Sequence, residues 1–330
     1  MTGNRPAPVF NKKAISILGG GPAGAAAAIS ALNAGVCCHL IEKSKLPRHK
    51  VCGEFFSPEI QPELEKLGAW QAFLAAGAAR IRRMTLFFGR REKTSALPEA
   101  SWGLSRYAFD FLLLERAREL GASVVPHHDS GPEVIACGRK LDAAPRGRRL
   151  FGFKAHFEGP ADDAVELFFF DGCYVGLAPV EGGRTNVCGL GPEDFLRRFD
   201  FDFDAVVHRS PALSERLGPL ARSMKWISTG PLQYRQTFTE SGGYRAGDAL
   251  SFVDPFTGSG LLAAVKTGSL AGSAAAQGAP IEEHVARCRK ALRQPFEVSS
   301  VFRKAIASGW ADRLIGLVPG RALYTLTRPK

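Results

Sequence analysis

A glycine-rich turn between a short apolar strand and an alanine-rich helix constrains this chain more than any other feature. The apolar run at 14–18 is followed by Gly-Gly-Gly-Pro-Ala-Gly. Gly19 allows a tight turn out of the strand, Gly21 removes a side chain where backbone must approach a phosphate, and Gly24 lets the helix pack closely on the strand. The helix N-terminus adds unpaired N–H groups, and Pro22 has no N–H to leave unpaired there. This order is typical of a dinucleotide-binding βαβ unit.

A carboxylate follows where such a unit binds the adenosine ribose. After a helix predicted over Pro22 to Gly35, an apolar strand runs from Val36 to Glu42. An acid about 20 residues beyond the glycines can accept hydrogen bonds from both ribose hydroxyls, and it disfavours a 2′-phosphate. The glycines alone would also fit an ordinary turn in an unrelated α/β protein. Strand, helix and acid together favour a dinucleotide site that does not hold NADP.

Length and cysteine usage narrow the class of protein. The 330 residues suffice for one large or two ordinary domains, and no apolar run is long enough to span a membrane. Residues 1–13 are polar and lack the apolar stretch of a signal peptide, so we expect a cytoplasmic protein. The seven cysteines form no CxxC pair and the histidines are scattered, so neither a disulfide framework nor a metal site is predicted.

The formal net charge of +11 leaves several anionic partners open. Basic clusters at 80–83 and 145–149 could attract nucleic acid, a membrane surface or an acidic carrier. No nucleic-acid-binding motif accompanies them, so no nucleic acid partner is expected. An apolar stretch at 314–319 with basic neighbours suggests peripheral contact with a membrane, although a packing helix explains the same pattern.

The chain divides into a β-rich middle framed by two helix-containing ends. The nucleotide domain is predicted to be discontinuous, over 1–149 and 236–330, with a β-rich substrate domain at 150–235 that part of 80–105 could join. Predicted helices and helical regions are 58–67, 107–120, 193–221, 257–277 and the last fifty residues; predicted strands are 80–104, 124–125, 134–136, 151–157, 164–170, 173–179, 185–190 and 243–248.

A second glycine-rich entry to a helix lies near the end of the chain. Gly247-Asp248 ends a predicted strand, and Gly258-Ser259-Gly260 opens the helix that follows. Asp248 could accept a hydrogen bond from a polyol, and the glycine amides could face a developing anion, such as the ring edge of a reduced flavin. A plain helix cap is the alternative, which the N-terminal unit makes less favoured.

Together these motifs resemble the FAD-dependent oxidoreductases of the p-hydroxybenzoate hydroxylase fold, and within them the geranylgeranyl reductase branch. The resemblance covers nearly the whole chain and also rests on Pro-Arg-His-Lys-Val-Cys-Gly-Glu at 47–54 and on Ser105-Arg106. It implies an α/β fold with a Rossmann-type, GR2-like FAD-binding domain, a β-sheet substrate domain, a helical C-terminus and bound FAD.

The resemblance also assigns roles to residues. Glu42 and the first glycines would hold the ADP half of FAD, Arg48 and Arg106 would contact its phosphates or adenosine, and Asp248 would bind the ribityl chain. Pro255 and the second glycine set would line the ring. The implied cofactor-binding residues are Gly19, Gly21, Pro22, Ala23, Gly24, Glu42, Lys43, Arg48, Cys52, Gly53, Arg106, Gly247, Asp248, Pro255, Gly258, Ser259 and Gly260.

The substrate region departs from the reductase pattern Tyr-x-Trp-x-Phe-Pro followed by Gly-x-Gly. Glycine and alanine, Gly176 and Ala178, replace its two later aromatics, so we expect a differently shaped, roomier pocket, and the case for the isoprenoid substrate that the resemblance implies is weaker. The halogenase pattern Trp-x-Trp-x-Ile-Pro is absent, so halogenation is not expected. The residues that match the reductase pattern, taken as substrate-binding, are Tyr174, Pro179, Gly189 and Gly191.

A further departure concerns the electron donor. Hydroxylases of the fold carry Asp-Gly where this chain has Cys137-Gly138, and that pair is tied to contact with FAD and NAD(P)H. The change weakens the case for a hydroxylase that uses NADPH directly. The external donor therefore stays open among NAD(P)H, ferredoxin and a flavin reductase.

Two flavin reactions fit this sequence, and a third class fits it less well. The first is reduction of a carbon–carbon double bond in an apolar, prenyl or lipid-like substrate, with hydride from flavin N5 and a proton from an acid for which Cys52 and Tyr174 are candidates. Cys52 could equally be a small packing residue, and for Tyr174 an aromatic in the strand core is the favoured interpretation. The second is hydroxylation or epoxidation by a monooxygenase, in a dry pocket. The phenylalanines of 151–170 could form such a pocket, and they could equally be ordinary sheet core. A non-catalytic nucleotide-binding protein or an NAD-dependent dehydrogenase is disfavoured by the second glycine site and the 47–54 motif.

Overall fold

The computed structural model describes residues 14–89, 91–128, 131–139, 149–232, 238, 242–252 and 258–292. Its strands are β1 (Ile15–Leu18), β2 (Cys38–Ile41), β3 (Phe55–Phe56), β4 (Ala79–Phe88), β5 (Arg91–Gly103), β6 (Ser123–Val125), β7 (Val134–Ile135), β8 (Leu150–Glu158), β9 (Ala164–Phe170), β10 (Cys173–Val180), β11 (Arg184–Pro192), β12 (Ala221–Arg222), β13 (Ile227–Leu232) and β14 (Tyr244–Arg245). Its helices are α1 (Pro22–Asn33), α2 (Ile60–Lys66), α3 (Trp70–Ala75), α4 (Arg106–Glu119), α5 (Glu193–Leu196), α6 (Phe203–Val207), α7 (Pro211–Leu217), α8 (Gly260–Gln277) and α9 (281–292).

The first sheet is parallel and carries the nucleotide motif. Its strand order is β14-β7-β1-β2-β6, so strands from both ends of the chain lie side by side. The glycine turn follows β1, which lies at the centre of this sheet. In an open parallel sheet, ligands bind beyond the carboxyl ends of the strands. The turn therefore lies at the edge where a ligand is expected.

Small residues allow α1 and α8 to pack in close contact. α1 is rich in alanine, and most of its residues are buried. A Cβ atom at Gly268 would lie 2.2 Å from the Ala23 carbonyl oxygen, and one at Gly272 would lie 2.0 Å from that of Ala27. Glycines four residues apart face the same side of a helix. They let α8 pack closely enough to fix the position of α1, which begins at the glycine turn.

The second sheet has nine strands and contains the β-rich middle. Its order is β12-β8-β11-β10-β9-β4-β5-β3, with β13 also paired to β8. The hairpin β4–β5 joins this sheet through a parallel pairing of β4 with β9. Stacked rings support that pairing, since Phe87 and Phe168 have centroids 4.2 Å apart. Residues 79–103 thus extend the sheet formed by residues 150–192.

Most of the predicted elements are confirmed, with ends shifted slightly. The four strands between 150 and 192 and the helix near 107–120 appear as β8 to β11 and α4. The predicted strand at 243–248 is wrong beyond Arg245, because the chain turns into a short 3₁₀ helix at Gly247–Ala249. The helical region 193–221 breaks into the three short helices α5 to α7.

The membrane and C-terminal predictions concern residues that are mostly not described. Residues 281–292 are helical, and 293–330, including the apolar stretch at 314–319, lie outside the described residues. No helix in the described part of the chain is long and apolar enough to cross a membrane.

Candidate functional site

A cavity of about 700 Å³ lies between the two sheets. Both glycine-rich segments contribute to its wall, and so do the 48–55 loop and strands β4, β8, β9, β10 and β11. Segments far apart in sequence therefore meet at one site. The cavity is large enough for a cofactor-sized ligand.

The first glycine turn leaves backbone open to this cavity. Gly19 has φ +108°, and a Cβ atom there would lie 2.4 Å from the Ala136 carbonyl oxygen. A Cβ atom at Gly24 would lie 1.7 Å from the Gly19 carbonyl oxygen. Gly21, Pro22 and Ala23 line the cavity directly. The turn thus offers the start of α1 to an anionic group, as a dinucleotide diphosphate requires.

Glu42 is held with its carboxylate beside the turn. Its Oε2 accepts a hydrogen bond from the Gly20 N–H at 2.9 Å, and its Oε1 accepts one from the Ser44 N–H at 2.7 Å. Glu42 and Lys43 both line the cavity. Each carboxylate oxygen keeps a second lone pair, so the position fits the two hydroxyls of an adenosine ribose.

The loop that carries Cys52 is fixed by the second sheet. Asn186 of β11 donates hydrogen bonds from Nδ2 to the carbonyl oxygens of Cys52 (3.1 Å) and Gly53 (2.9 Å). Cys52, Gly53 and Arg48 line the cavity. Burial raises the pKa of the Cys52 thiol, an effect that the nearby Arg106 guanidinium opposes. Cys52 therefore keeps its proton at neutral pH.

A buried cluster of charged residues lies between this loop and β8, and the sequence did not predict it. Glu54, Lys154 and His156 are almost completely buried. The Glu54 carboxylate accepts hydrogen bonds from the Lys154 ammonium, from His156 Nε2 (2.7 Å) and from the Arg106 N–H (2.5 Å). Burial alone would raise the pKa of Glu54, but the hydrogen bond from His156 and the charge of Lys154 hold it below its ordinary value.

The cluster also bears on the prediction that the scattered histidines form no metal site. His49, Glu54 and His156 bring their possible ligand atoms within 4.8 Å of one another. Their grouping could not be read from sequence positions so far apart. The Lys154 ammonium already contacts the Glu54 carboxylate, however, and supplies the positive charge that a metal ion would bring. The arrangement therefore fits an ion-pair network better than a metal centre.

Arg106 reaches the cavity as part of another ion-pair group. It donates from Nε to Asp110 at 2.6 Å and from Nη2 at 2.8 Å, and Lys50 Nζ donates to the same carboxylate at 2.7 Å. Burial opposes ionisation of Asp110, but the charge of Arg106 outweighs it and lowers the pKa of that carboxyl. Two cations share one carboxylate, which leaves net positive charge at the cavity wall.

The second glycine segment also lines the cavity and lies next to the first, since a Cβ atom at Gly247 would lie 3.0 Å from Ala23 Cβ. Asp248 is open to the cavity, and loss of hydration raises its pKa although Arg106 and Arg139 oppose this. Gly247, Gly258 and Gly260 line the cavity, whereas Ser259 is buried beneath it. Gly258 has φ +62°, and a Cβ atom there would lie 2.8 Å from the Phe55 ring. Pro255 lies outside the described residues.

The predicted substrate residues divide into two groups. Tyr174 and Gly189 line the cavity. Pro179 and Gly191 are absent from its described lining: the Pro179 carbonyl packs where a Cβ at Gly103 would be, and a Cβ at Gly191 would lie 2.5 Å from Cys173 Sγ. The absence of a side chain at Gly191 is therefore explained by packing within the second sheet.

The rest of the substrate side is apolar and open. Gly176 and Ala178, which stand where the reductase pattern has aromatics, both line the cavity beside a wall formed by Met84, Leu86, Val165, Leu167 and Leu177. The phenylalanines of 151–170, which could have formed either a dry pocket or ordinary sheet core, do not contribute to the described lining. Several of them pack in the core between the second sheet and helices α5 to α7, in agreement with the second alternative.

Comparison of the sequence with known proteins also indicates a flavin site. Residues 12–133 match the family model described as an FAD binding domain. A flavin-dependent halogenase, armH3 of Armillaria mellea, is 26% identical over 78% of this chain and 66% of its own length. A menaquinone reductase of Mycobacterium tuberculosis is 27% identical over 78% of this chain and 75% of its own length.

Solved structures share the fold at low sequence identity. A triple mutant of the flavin-dependent brominase Bmp2 has a TM-score of 0.78 at 20% identity, covering 95% of this chain and 93% of its own. A geranylgeranyl bacteriochlorophyll reductase-like protein of Thermoplasma acidophilum has a TM-score of 0.73 at 18% identity, with the same coverage of the two chains. Both halogenating enzymes and a member of the expected branch are therefore represented.

These findings establish the fold and the cofactor. The chain has the predicted α/β fold with an FAD-binding domain and a second sheet, and its cofactor is FAD. The residues present fit that group, because side chains at Gly19 and Gly24 would collide with backbone and the Glu42 carboxylate faces the same opening.

Proposed function

We propose that this flavoprotein reduces carbon–carbon double bonds of an apolar, prenyl or lipid-like substrate. The observation that carries the proposal is the continuity of the cavity. It runs from the FAD-binding glycines, past Cys52 and Tyr174, to the apolar wall on β4, β9 and β10. The similarity to a menaquinone reductase supports the same class of reaction.

When bound and reduced, FAD supplies a hydride, and the protein must supply a proton and a dry site. Cys52 is a candidate proton donor because burial keeps its thiol protonated. Tyr174 is a second candidate because its phenol also lines the cavity. The apolar side chains around them, such as Leu167 and Leu177, exclude water from the reacting bond. Gly176 and Ala178 leave room for a bulky substrate.

An external donor must reduce the cofactor in each cycle. Cys137, at the position of the usual aspartate, lines the cavity and is exposed. A thiol cannot make the hydrogen bonds of that carboxylate at neutral pH. We therefore favour ferredoxin or a separate flavin reductase over direct use of NAD(P)H. Binding at a membrane surface, which the +11 charge would aid, is proposed for substrate access.

The second candidate is a monooxygenase that hydroxylates or epoxidises an apolar substrate. The apolar cavity wall would serve it equally well, since oxygen chemistry on a flavin also requires exclusion of water. Several phenylalanines of 151–170, which could have protected such chemistry, pack in the core instead of lining the cavity. We therefore favour the monooxygenase less than the reductase. The halogenase relatives make a halogenated product a further outcome to look for.

One anaerobic experiment separates these reactions. The FAD-loaded protein is reduced chemically without oxygen and mixed with menaquinone or with geranylgeraniol. We expect the absorbance of oxidised FAD to return with the substrate and a product that gains two hydrogen atoms by mass spectrometry. A product that forms only with oxygen, and that carries a new oxygen or halogen atom, would overturn the reductase proposal.

Matched variants test the two candidate donors. Cys52→Ala and Tyr174→Phe remove one proton each and little volume. The residue that donates the proton should slow turnover by about 100-fold or more when replaced, the range expected for general acid catalysis, with FAD binding unchanged. Cys188→Ala is the control, because that thiol also lines the cavity and is also kept protonated by burial. A variant with full turnover removes its residue from the mechanism.

A further inference from the structure

Arg139 presents to the cavity a charge that the described protein leaves largely uncompensated. Its side chain lines the cavity and donates one hydrogen bond, from Nη2 to Thr229 Oγ1 at 3.1 Å. Its guanidinium carbon lies 5.2 Å from the centroid of the Phe252 ring. Its Nε is buried and has no hydrogen-bond partner. No ion pair within 4.0 Å joins it to a described carboxylate.

The surroundings of Arg139 differ from those of the other cavity arginine. Arg106 makes two hydrogen bonds to Asp110, whereas the carboxylate that acts on Arg139 is Asp248, without a direct contact. Burial lowers the pKa of Arg139, and Asp248 opposes this effect. An arginine stays protonated in proteins, so its partial burial needs compensation. A ligand anion in the cavity would supply it.

The position of Arg139 favours a phosphate as that anion. It follows β7 by a few residues, and the carbonyl of Ala136 in the same segment abuts Gly19 of the glycine turn. Thr229 of β13 and Phe252 hold the guanidinium from the other side. A planar guanidinium can form two parallel hydrogen bonds to phosphate oxygens through its two terminal amino groups.

We propose that Arg139 is an anion-binding residue that takes a diphosphate group of a ligand in this cavity. The diphosphate could belong to FAD or to an anionic substrate such as a prenyl diphosphate. Only the second source rests on the proposed function. In both cases the terminal amino groups of the guanidinium donate to the phosphate, while Nη2 keeps its hydrogen bond to Thr229 Oγ1.

Binding titrations distinguish the two sources without any turnover. Apoprotein is titrated with FAD and with riboflavin, which lacks phosphate, and flavin fluorescence is followed. If Arg139 contacts the FAD diphosphate, Arg139→Gln should weaken FAD binding by about 10-fold or more, as expected for a charge-assisted hydrogen bond, and leave riboflavin binding unchanged. Arg139→Lys should recover part of the loss, because it retains the charge.

A second titration tests the substrate source. FAD-loaded protein is titrated with geranylgeranyl diphosphate and with geranylgeraniol. If Arg139 serves the substrate, Arg139→Gln should weaken binding of the diphosphate alone. Arg222→Gln is the control, since Arg222 forms a surface ion pair with Asp204 and does not line the cavity. If Arg139→Gln changes neither FAD nor diphosphate binding, or weakens phosphate-free ligands equally, the proposal is wrong.

Failure of this proposal and failure of the reductase proposal give different results. The FAD arm needs no knowledge of the reaction, so a monooxygenase would give the same dependence on Arg139. Equal thermal unfolding midpoints for the wild type and Arg139→Gln apoproteins would exclude a merely structural effect through Thr229.

Discussion

Replacement of Glu54 by glutamine should destabilise the protein far more than loss of one ordinary surface charge. Glu54 lies where the 48–54 loop, the start of α4 and β8 meet. Its carboxylate is buried and receives hydrogen bonds from Lys154, His156 and the Arg106 backbone. Glutamine keeps the shape of the side chain and removes its negative charge. The change therefore isolates electrostatics from packing.

The size of the expected loss of stability follows from the donors and the charge that Glu54→Gln leaves without a partner. Glutamine offers one oxygen acceptor and adds an NH₂ donor, so it cannot satisfy the three donors that now meet the carboxylate. Lys154 would be left fully buried without a counter-charge. Removal of one partner of a buried ion pair costs about 3–5 kcal/mol. We expect the free energy of unfolding of Glu54→Gln to fall by about that amount.

Denaturant unfolding at saturating FAD measures this loss, with two matched variants. Glu119→Gln removes a carboxylate that pairs with Arg116 on the surface, and it should change stability by less than about 1 kcal/mol. The double variant Glu54→Gln with Lys154→Met also removes the stranded charge, so it should recover part of the loss. If Glu54→Gln were no more destabilising than Glu119→Gln, Lys154 would not be a buried charge that depends on Glu54.

The same cluster gives a pH dependence whose sign can be stated. The pKa of Glu54 is lower in the folded protein than its unfolded value of about 4.3. Its contribution to stability is therefore complete above that value and is lost as the pH falls through the folded pKa. Acid unfolding of Glu54→Gln should lack this component.

Three further predictions address packing, cofactor binding and pH. Gly268→Ala should destabilise the protein by about 1–3 kcal/mol in denaturant unfolding, because its Cβ would lie 2.2 Å from the Ala23 carbonyl oxygen. Gln277→Ala, at an exposed position of the same helix, is the control. An equal loss of stability in the two variants would refute close packing of α1 and α8. Glu42→Ala should weaken FAD binding by about 10-fold but not riboflavin binding, and equal losses in the fluorescence titration would contradict a ribose contact. Burial and the charge of Lys154 lower the pKa of His49. The free energy of unfolding should therefore fall as the pH drops below about 6.5, the unfolded pKa of histidine. His49→Gln should reduce this pH dependence of stability, and an unchanged pH dependence would contradict the prediction.

The nucleotide motif could be predicted because its constraints are local. The turn after β1, the first turn of α1 and the carboxylate at the end of β2 lie within one stretch of chain, and Gly24 meets a backbone atom of the same turn. Gly24 shows this directly, since a Cβ there would strike the Gly19 carbonyl oxygen. The strand-like pattern of residues 150–190 likewise predicted β8 to β11 close to their observed bounds.

The buried charged cluster could not be predicted, because the residues that form it are about a hundred positions apart. Lys154 and His156 alternate with Phe153, Ala155 and Phe157 along β8, a pattern typical of a strand with one face in solvent. In the structure the stretch from 152 to 157 is buried on both faces. The polar face meets Glu54, whose position depends on long-range pairing of β3 with β5 and on the contacts of Asn186.

The position of Cys52 in the sequence does not show which sheet holds its loop. The loop follows β2, so the sequence alone would place it with the first sheet. In the structure Asn186 of β11 binds the carbonyls of Cys52 and Gly53, and Lys154 and His156 of β8 bind the carboxylate of Glu54. The loop is therefore held by the second sheet. Since the same loop lines the cavity, these contacts position that part of the cavity wall relative to β8 and β11.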